Sequence, residues 1–242
     1  MSEKEGVRRK NNLEKSWKEF LKDENVTDKA LISGRIDAEF EHSHEVRREK
    51  FYQTRVRVKR LSGIEDLVPI VVSDSLIGDE RMKTSFKDKW VEVVGQFRSY
   101  DRKDKDGKRH LELFLFATTI NIYDDERELV EVVNENRIYL NGYLCIKPKY
   151  KKTERGIEIT NFIIAVKKNF GKSYYIPCIA WGRVAKWASG LEVGNQVEIY
   201  GRIQSRKYFK RFSKDSDKGE DRIAYEIFGM EIKKVDEELI WQ

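Results

Sequence analysis

The sequence predicts an all-β chain, two tandem OB-type barrels preceded by a short amphipathic helix. Three observations carry this expectation. β-Branched and aromatic residues alternate or run in blocks of strand length, three landmarks recur in one order about 108 residues apart, and glycines fall inside the strand blocks.

The landmarks are short and specific. "LISGRI" (31–36) matches "YLNGYL" (139–144), and "LVPIVVS" (67–73) matches "YIPCIAW" (175–181), both at an offset of 108. "VEVVGQFRSY" (91–100) matches "VEIYGRIQSR" (197–206) at an offset of 106. A duplicated domain accounts for all three.

Taken in order, residues 1–25 form an extension in which Leu13, Trp17, Phe20 and Leu21 stand at helical spacing. The first barrel spans 26–123, with strands expected near 30–40, 51–60, 67–73, 90–100 and 109–122. A charged linker follows at 124–135. The second barrel, 136–242, has strands expected near 137–147, 157–169, 174–181, 196–208 and 222–234. Between its third and fourth strands, "RVAKWASGLEVGN" places Val184, Trp187 and Ala188 on one face of a short helix, with Trp187 in the core. Five strands with a helix between the third and fourth describe an OB-fold. Gly34, Gly95, Gly142 and Gly201 fit the sharp bends of so small a barrel.

Bulk properties narrow the function classes. The 242 residues carry a net charge of +6, but residues 137–242 hold +8 and residues 1–136 hold −2. A polyanion would be steered to the second half. Cys145 and Cys178 sit in separate apolar runs without zinc-ligand spacing, as buried free thiols do. The amino terminus has no apolar signal segment, which places the chain in the cytoplasm. There is no P-loop, dinucleotide-binding turn, HExxH or nucleophile motif, so no enzyme, cofactor or metal is expected. His42 and His44 project to one side of a strand on simple alternation, but two ligands are too few for a metal site.

From residue 136 the chain resembles the bacterial single-stranded DNA-binding protein family. The elements that carry the resemblance are "LNGYL", "TNFIIAV", "YIPCIAWGRVAKWAS" and "GNQVEIYGRIQSRKY". It implies a non-catalytic protein that stacks bases on aromatics and neutralises phosphates with lysine and arginine, in replication, recombination or repair. The positions it assigns to stacking are Phe170, Tyr175, Trp181 and Tyr208, with Tyr150 on an adjoining loop. The basic residues beside them are Lys149, Lys151, Arg155, Lys168, Lys172, Arg183, Arg202, Arg206 and Lys207. Tyr174 and Tyr175 are adjacent on a strand, so one of them faces the nucleic acid.

The first copy departs from this pattern, with Leu61, Leu67 and Ser73 replacing Phe170, Tyr175 and Trp181. Arg55, Arg57, Lys59 and Tyr100 are left as candidate auxiliary contacts, with packing or assembly the alternative role for a region whose charge is −2. The implied partners are single-stranded DNA, replication or repair proteins, and a second copy of the chain, since two chains give four barrels; a monomer is the other option. An assembly factor that uses its barrels for protein contacts and a single-stranded RNA binder are the alternative readings.

Overall fold

The computed structural model describes residue 17 and residues 27–78, 84–103, 107, 109–124, 134–168, 172–211 and 218–235. The predicted helix in residues 1–25 lies outside this set except for Trp17, which is helical and half-buried. Most of the 124–135 linker also lies outside it.

Among the described residues from 27 onward, twelve strands and two short helices follow in order. They are β1 (Asp28–Ile36), β2 (Glu41–Val46), β3 (Glu49–Lys59), β4 (Glu65–Ser73), α1 (Asp74–Ile77), β5 (Trp90–Lys103), β6 (Arg109–Tyr123) and β7 (Asn136–Leu144). The chain continues with β8 (Lys149–Lys152), β9 (Glu158–Lys167), β10 (Ser173–Trp181), α2 (Gly182–Ala188), β11 (Gln196–Arg211) and β12 (Gly219–Lys234). Each copy therefore has the five expected strands plus one: β2 and β8 pair with β3 and β9 at the two ends of a single twelve-stranded sheet.

Closure makes two barrels of that sheet. β1 pairs with both β5 and β3, β7 with both β11 and β9, and in each barrel the third and last long strands run parallel, Ile70 beside Leu115 and Cys178 beside Ile227. Inward positions alternate along these strands and are filled by β-branched and aliphatic side chains, with Phe97 in one core and Phe162 in the other. Long β5 and β11 bend at bulges, between Val94 and Gly95 and between Tyr200 and Gly201. A Cβ on Gly95 would lie 2.0 Å from the Phe116 carbonyl oxygen, and one on Gly201 would lie 2.0 Å from that of Phe228. Both bends therefore require glycine.

The barrels are joined by an antiparallel seam, β1 against β7, with Asp28 opposite Leu140 and Ile32 opposite Asn136. Flanking contacts repeat with near twofold symmetry. The Leu67 amide donates to Ser205 Oγ at 3.0 Å, and its counterpart, the Tyr175 amide, donates to Ser99 Oγ at 2.9 Å.

Beneath that symmetry the chemistry differs. Asn136 bonds both ways to Ile203, its Nδ2 donating to the carbonyl at 2.8 Å and its Oδ1 accepting from the amide at 2.9 Å. The matching residue of the first copy is Asp28, whose Oδ1 accepts from the Phe97 amide at 3.0 Å while its buried Oδ2 has no hydrogen-bond partner among the described residues. Burial pushes the Asp28 carboxyl up to about 8, against the pull of the Phe97 amide and Arg98. A neutral acid here can present one oxygen as acceptor and one hydroxyl as donor, as the amide of Asn136 does.

Several sequence expectations are corrected. Trp187 is 47% exposed, because the seven-residue α2 turns Ala185 and Ala188 inward instead. His42 and His44 do not share a side, because a register shift between them sets His42 against Tyr52 and His44 against Phe51, and the rings pair accordingly. Of the two thiols, Cys178 is buried and Cys145 half-buried with Sγ 3.1 Å from the Ile163 carbonyl oxygen. Burial raises both.

Candidate nucleic-acid interface

The outward positions of β10, β11 and β12 build one surface on the second barrel. Alternation on β10 buries Tyr174, Ile176 and Cys178 and turns Tyr175, 51% exposed, and Trp181, 46% exposed, to solvent. Trp181 meets the ring of Phe228 edge-on, centroids 6.1 Å apart, and the Arg202 guanidinium lies 4.6 Å from the centroid of that same phenyl ring. The row thus runs indole, phenyl, guanidinium across three strands.

Further along β11, Gln204, Arg206 and Tyr208 share the outward parity of Arg202. Gln204 donates to Glu226 at 2.8 Å, Arg206 stands 4.0 Å from Glu226, and its guanidinium lies 5.7 Å from the Tyr208 ring centroid. Arg202 is partly desolvated, and burial together with neighbouring Arg60 lowers its pKa from the usual arginine value. Its Nε is buried without an acceptor among the described residues.

The remaining predicted positions spread more widely. Tyr150, Lys149 and Lys151 lie exposed on the edge strand β8, and the Tyr150 hydroxyl donates to Glu158 at 2.8 Å, which raises the phenol's pKa. Arg155 is exposed in the turn between β8 and β9, and Arg183 on the first turn of α2. Lys168 and Lys172 face each other across the base of the β9–β10 hairpin through a 2.8 Å backbone bond, and the Lys168 ammonium lies 5.1 Å from the ring centroid of buried Tyr174. Lys207 has the parity opposite to Arg206 and Tyr208, so strand alternation turns it to the other face of the β11–β12 hairpin. Phe170 lies outside the described residues.

Phe228 was not singled out by sequence reasoning. It sits in "YEIFGMEI", where strict alternation assigns inward and outward positions, but the Tyr200/Gly201 bulge shifts the count at Met230. The available signal was the doublet of Gly201 and Gly229, which marks such a shift.

On the first barrel the same surface is built differently. Ser73, at the place of Trp181, accepts from the Ser75 amide as the N-cap of α1, whereas Trp181 precedes α2 with no side-chain cap. Phe116, at the place of Phe228, is covered by Arg98, whose guanidinium lies 3.7 Å from the ring centroid. Pro69, Val71 and Arg55 instead line a cavity of about 570 Å³ that Ile223 and Tyr225 of the second barrel help to close.

Comparison with known proteins bears on the second barrel most directly. Residues 135–235 match the model of the single-strand binding protein family. The similarity to that family is thus confined to the second barrel. Over 80 residues the chain is 34% identical to the single-stranded DNA-binding protein of Oceanobacillus iheyensis, covering 30% of this chain and 50% of that one. It is 31% identical to the single-stranded DNA-binding protein 1 of Staphylococcus aureus, covering 30% and 48%. The chain thus spans about half the length of the curated relatives it matches. The likeness in fold reaches further: the wild-type single-stranded DNA binding protein from Thermus aquaticus superposes with a TM-score of 0.67 over 86% of this chain and 93% of its own, at 15% identity.

Proposed function

We propose that this chain binds single-stranded DNA without catalysing a reaction on it, that the second barrel carries most of the affinity, and that it acts in replication, recombination or repair in the cytoplasm. The observation that supports this best is the row of exposed Trp181 and half-buried Phe228 and Arg202, with exposed Tyr175 on the same face of a barrel whose residues match the single-strand binding family. Bases stack on such rings at about 1–3 kcal/mol each without regard to sequence. Arg202, Arg206 and the lysines of β8 supply the charge that tracks a backbone.

The organisation that goes with this reading is an extension at 1–25, barrels at 26–123 and 136–242, and a linker between them. Two chains would assemble four barrels, and β2 and β8, each paired on one side only, offer edges for that assembly.

Titration with oligo-dT, duplex DNA and RNA at two salt concentrations tests the proposal. The expected result is tight binding of single strands, quenched tryptophan fluorescence and an affinity that falls steeply with salt. Equal affinity for duplex, or no quenching on saturation, would refute it.

A further inference from the structure

A cleft of about 420 Å³ lies where the β3–β4 hairpin of the first barrel meets β11 and β12 of the second. Its walls are unusual in what they expose. Leu61, at the hairpin tip, is fully exposed, and Met230, on the other wall, is 54% exposed. Neither contributes to a core.

Met230 owes its direction to the bulge. Tyr200 pairs with Glu231 and Gly201 with Gly229, so Met230 is the extra residue without a partner across the ladder. The first copy has Thr118 in the same bulge, and its hydroxyl donates to the Val94 carbonyl at 3.1 Å. The first copy thus closes its bulge on itself, and the second turns a flexible thioether into the cleft.

Charge in the cleft is likewise unspent. Arg60 is taken up by Asp66 through two bonds of 2.7 and 2.6 Å, and Arg137 by Glu135 at 2.8 Å. Lys59 and Arg202 have no carboxylate within ion-pair distance among the described residues. The wall that carries Lys59 is fixed in place, because its amide donates to Asn134 Oδ1 at 3.0 Å and Asp66 accepts from the Ser205 amide at 2.7 Å. Two cations without a carboxylate partner among the described residues, one of them lying against the Phe228 ring, and two exposed apolar side chains therefore line a gap that needs no rearrangement to form.

We propose that this inter-barrel cleft is a nucleotide subsite: a base enters between Leu61 and Met230, and its phosphate lies against Lys59 and Arg202. The subsite continues the row that ends in Arg202 and carries a strand from the second barrel onto the first. The inference rests on the reading that the chain binds single strands. Apolar wedges against base faces and unpaired cations against phosphates are the two elements such a site requires.

The test is affinity for oligo-dT of stepwise increasing length, for the parent and for Leu61→Ala, Met230→Thr and Lys59→Gln. Leu61 and Met230 are exposed and Met230→Thr copies the first barrel, so thermal melting should be unchanged. The parent should gain affinity in a discrete step once the oligomer is long enough to reach the cleft. Leu61→Ala and Met230→Thr should each remove several-fold of that gain and leave shorter oligomers bound as before. Lys59→Gln should lower the slope of log K against log salt by about 0.7 for the long oligomers only. If the parent binds and all three variants match it at every length and salt, the subsite is refuted while the platform stands. If the parent binds no oligomer, both readings fall.

Discussion

The two barrels share a strand plan, a bend glycine and a mutual hydrogen bond, yet their outer faces have diverged in a consistent direction. Where the second barrel leaves Trp181 bare, the first spends Ser73 on capping a helix. Where the second exposes Met230, the first turns Thr118 back onto its own carbonyl. Phe116 lies under Arg98 and against buried Phe51, whereas Phe228 lies against Arg202 and meets exposed Trp181. The lesson is that backbone and surface answer to different constraints. Closure, register and bulges must be kept for either barrel to fold, while outward positions are free to be spent on local bonds or left open to a ligand.

The largest effect that would sharpen the comparison concerns stability. With the Asp28 carboxyl at about 8 in the fold and near 3.8 in an unfolded chain, the native state holds the extra proton between those values. Stability should therefore fall as pH rises from about 4 to 8 and level off above that. Asp28→Asn removes the dependence and should stabilise by roughly 4 kcal/mol at pH 7, with little gain below pH 4. Asn136→Asp should create the same liability in the second barrel. Urea denaturation across pH reads both, and a parent whose stability is flat over this range would show that the two positions are equivalent after all.

Next come the mated platform positions. Tyr175→Ala should cost about 1–3 kcal/mol in oligo-dT binding, roughly 5- to 150-fold, with unchanged melting. Leu67→Ala, its counterpart, should cost little; equal losses would make the two faces equal partners. Smaller again is the charge contribution: Arg206→Gln should reduce the salt slope by about 0.7, measured by fluorescence titration. Least of all, Tyr150→Phe removes a solvent-exposed bond to Glu158 and keeps the ring, so affinity should stay within about 0.5 kcal/mol of the parent. A larger loss would place the hydroxyl itself in contact with the nucleic acid.

Much of this architecture was legible in the residues. Glycine at 34, 95, 142 and 201 with valine and isoleucine around it marks strands that must bend, and the offset of about 108 exposes the duplication. The Tyr174/Tyr175 doublet also read correctly, since alternation buries one ring and exposes the other. Short charged strands such as β2 and β8 were not legible, because "EHSHEV" and "KYKK" have no buried face to pattern. Bulges hid two further features, the opposed histidines and the outward-facing, half-buried Phe228, by shifting alternation by one residue. Trp187 misled because its helix is too short to bury a ring as well as its two alanines. The difference between Asp28 and Asn136 has no signature at all in the chain, since it depends on which carbonyl stands opposite.

The β1–β7 seam has a consequence of its own. A contact that two separate polypeptides would have to find by collision is here closed within a single molecule, so dilution cannot take it apart. Damage to it should register in the melting of each monomer rather than in any concentration threshold, and one copy could drift in sequence while its tethered twin kept the original task.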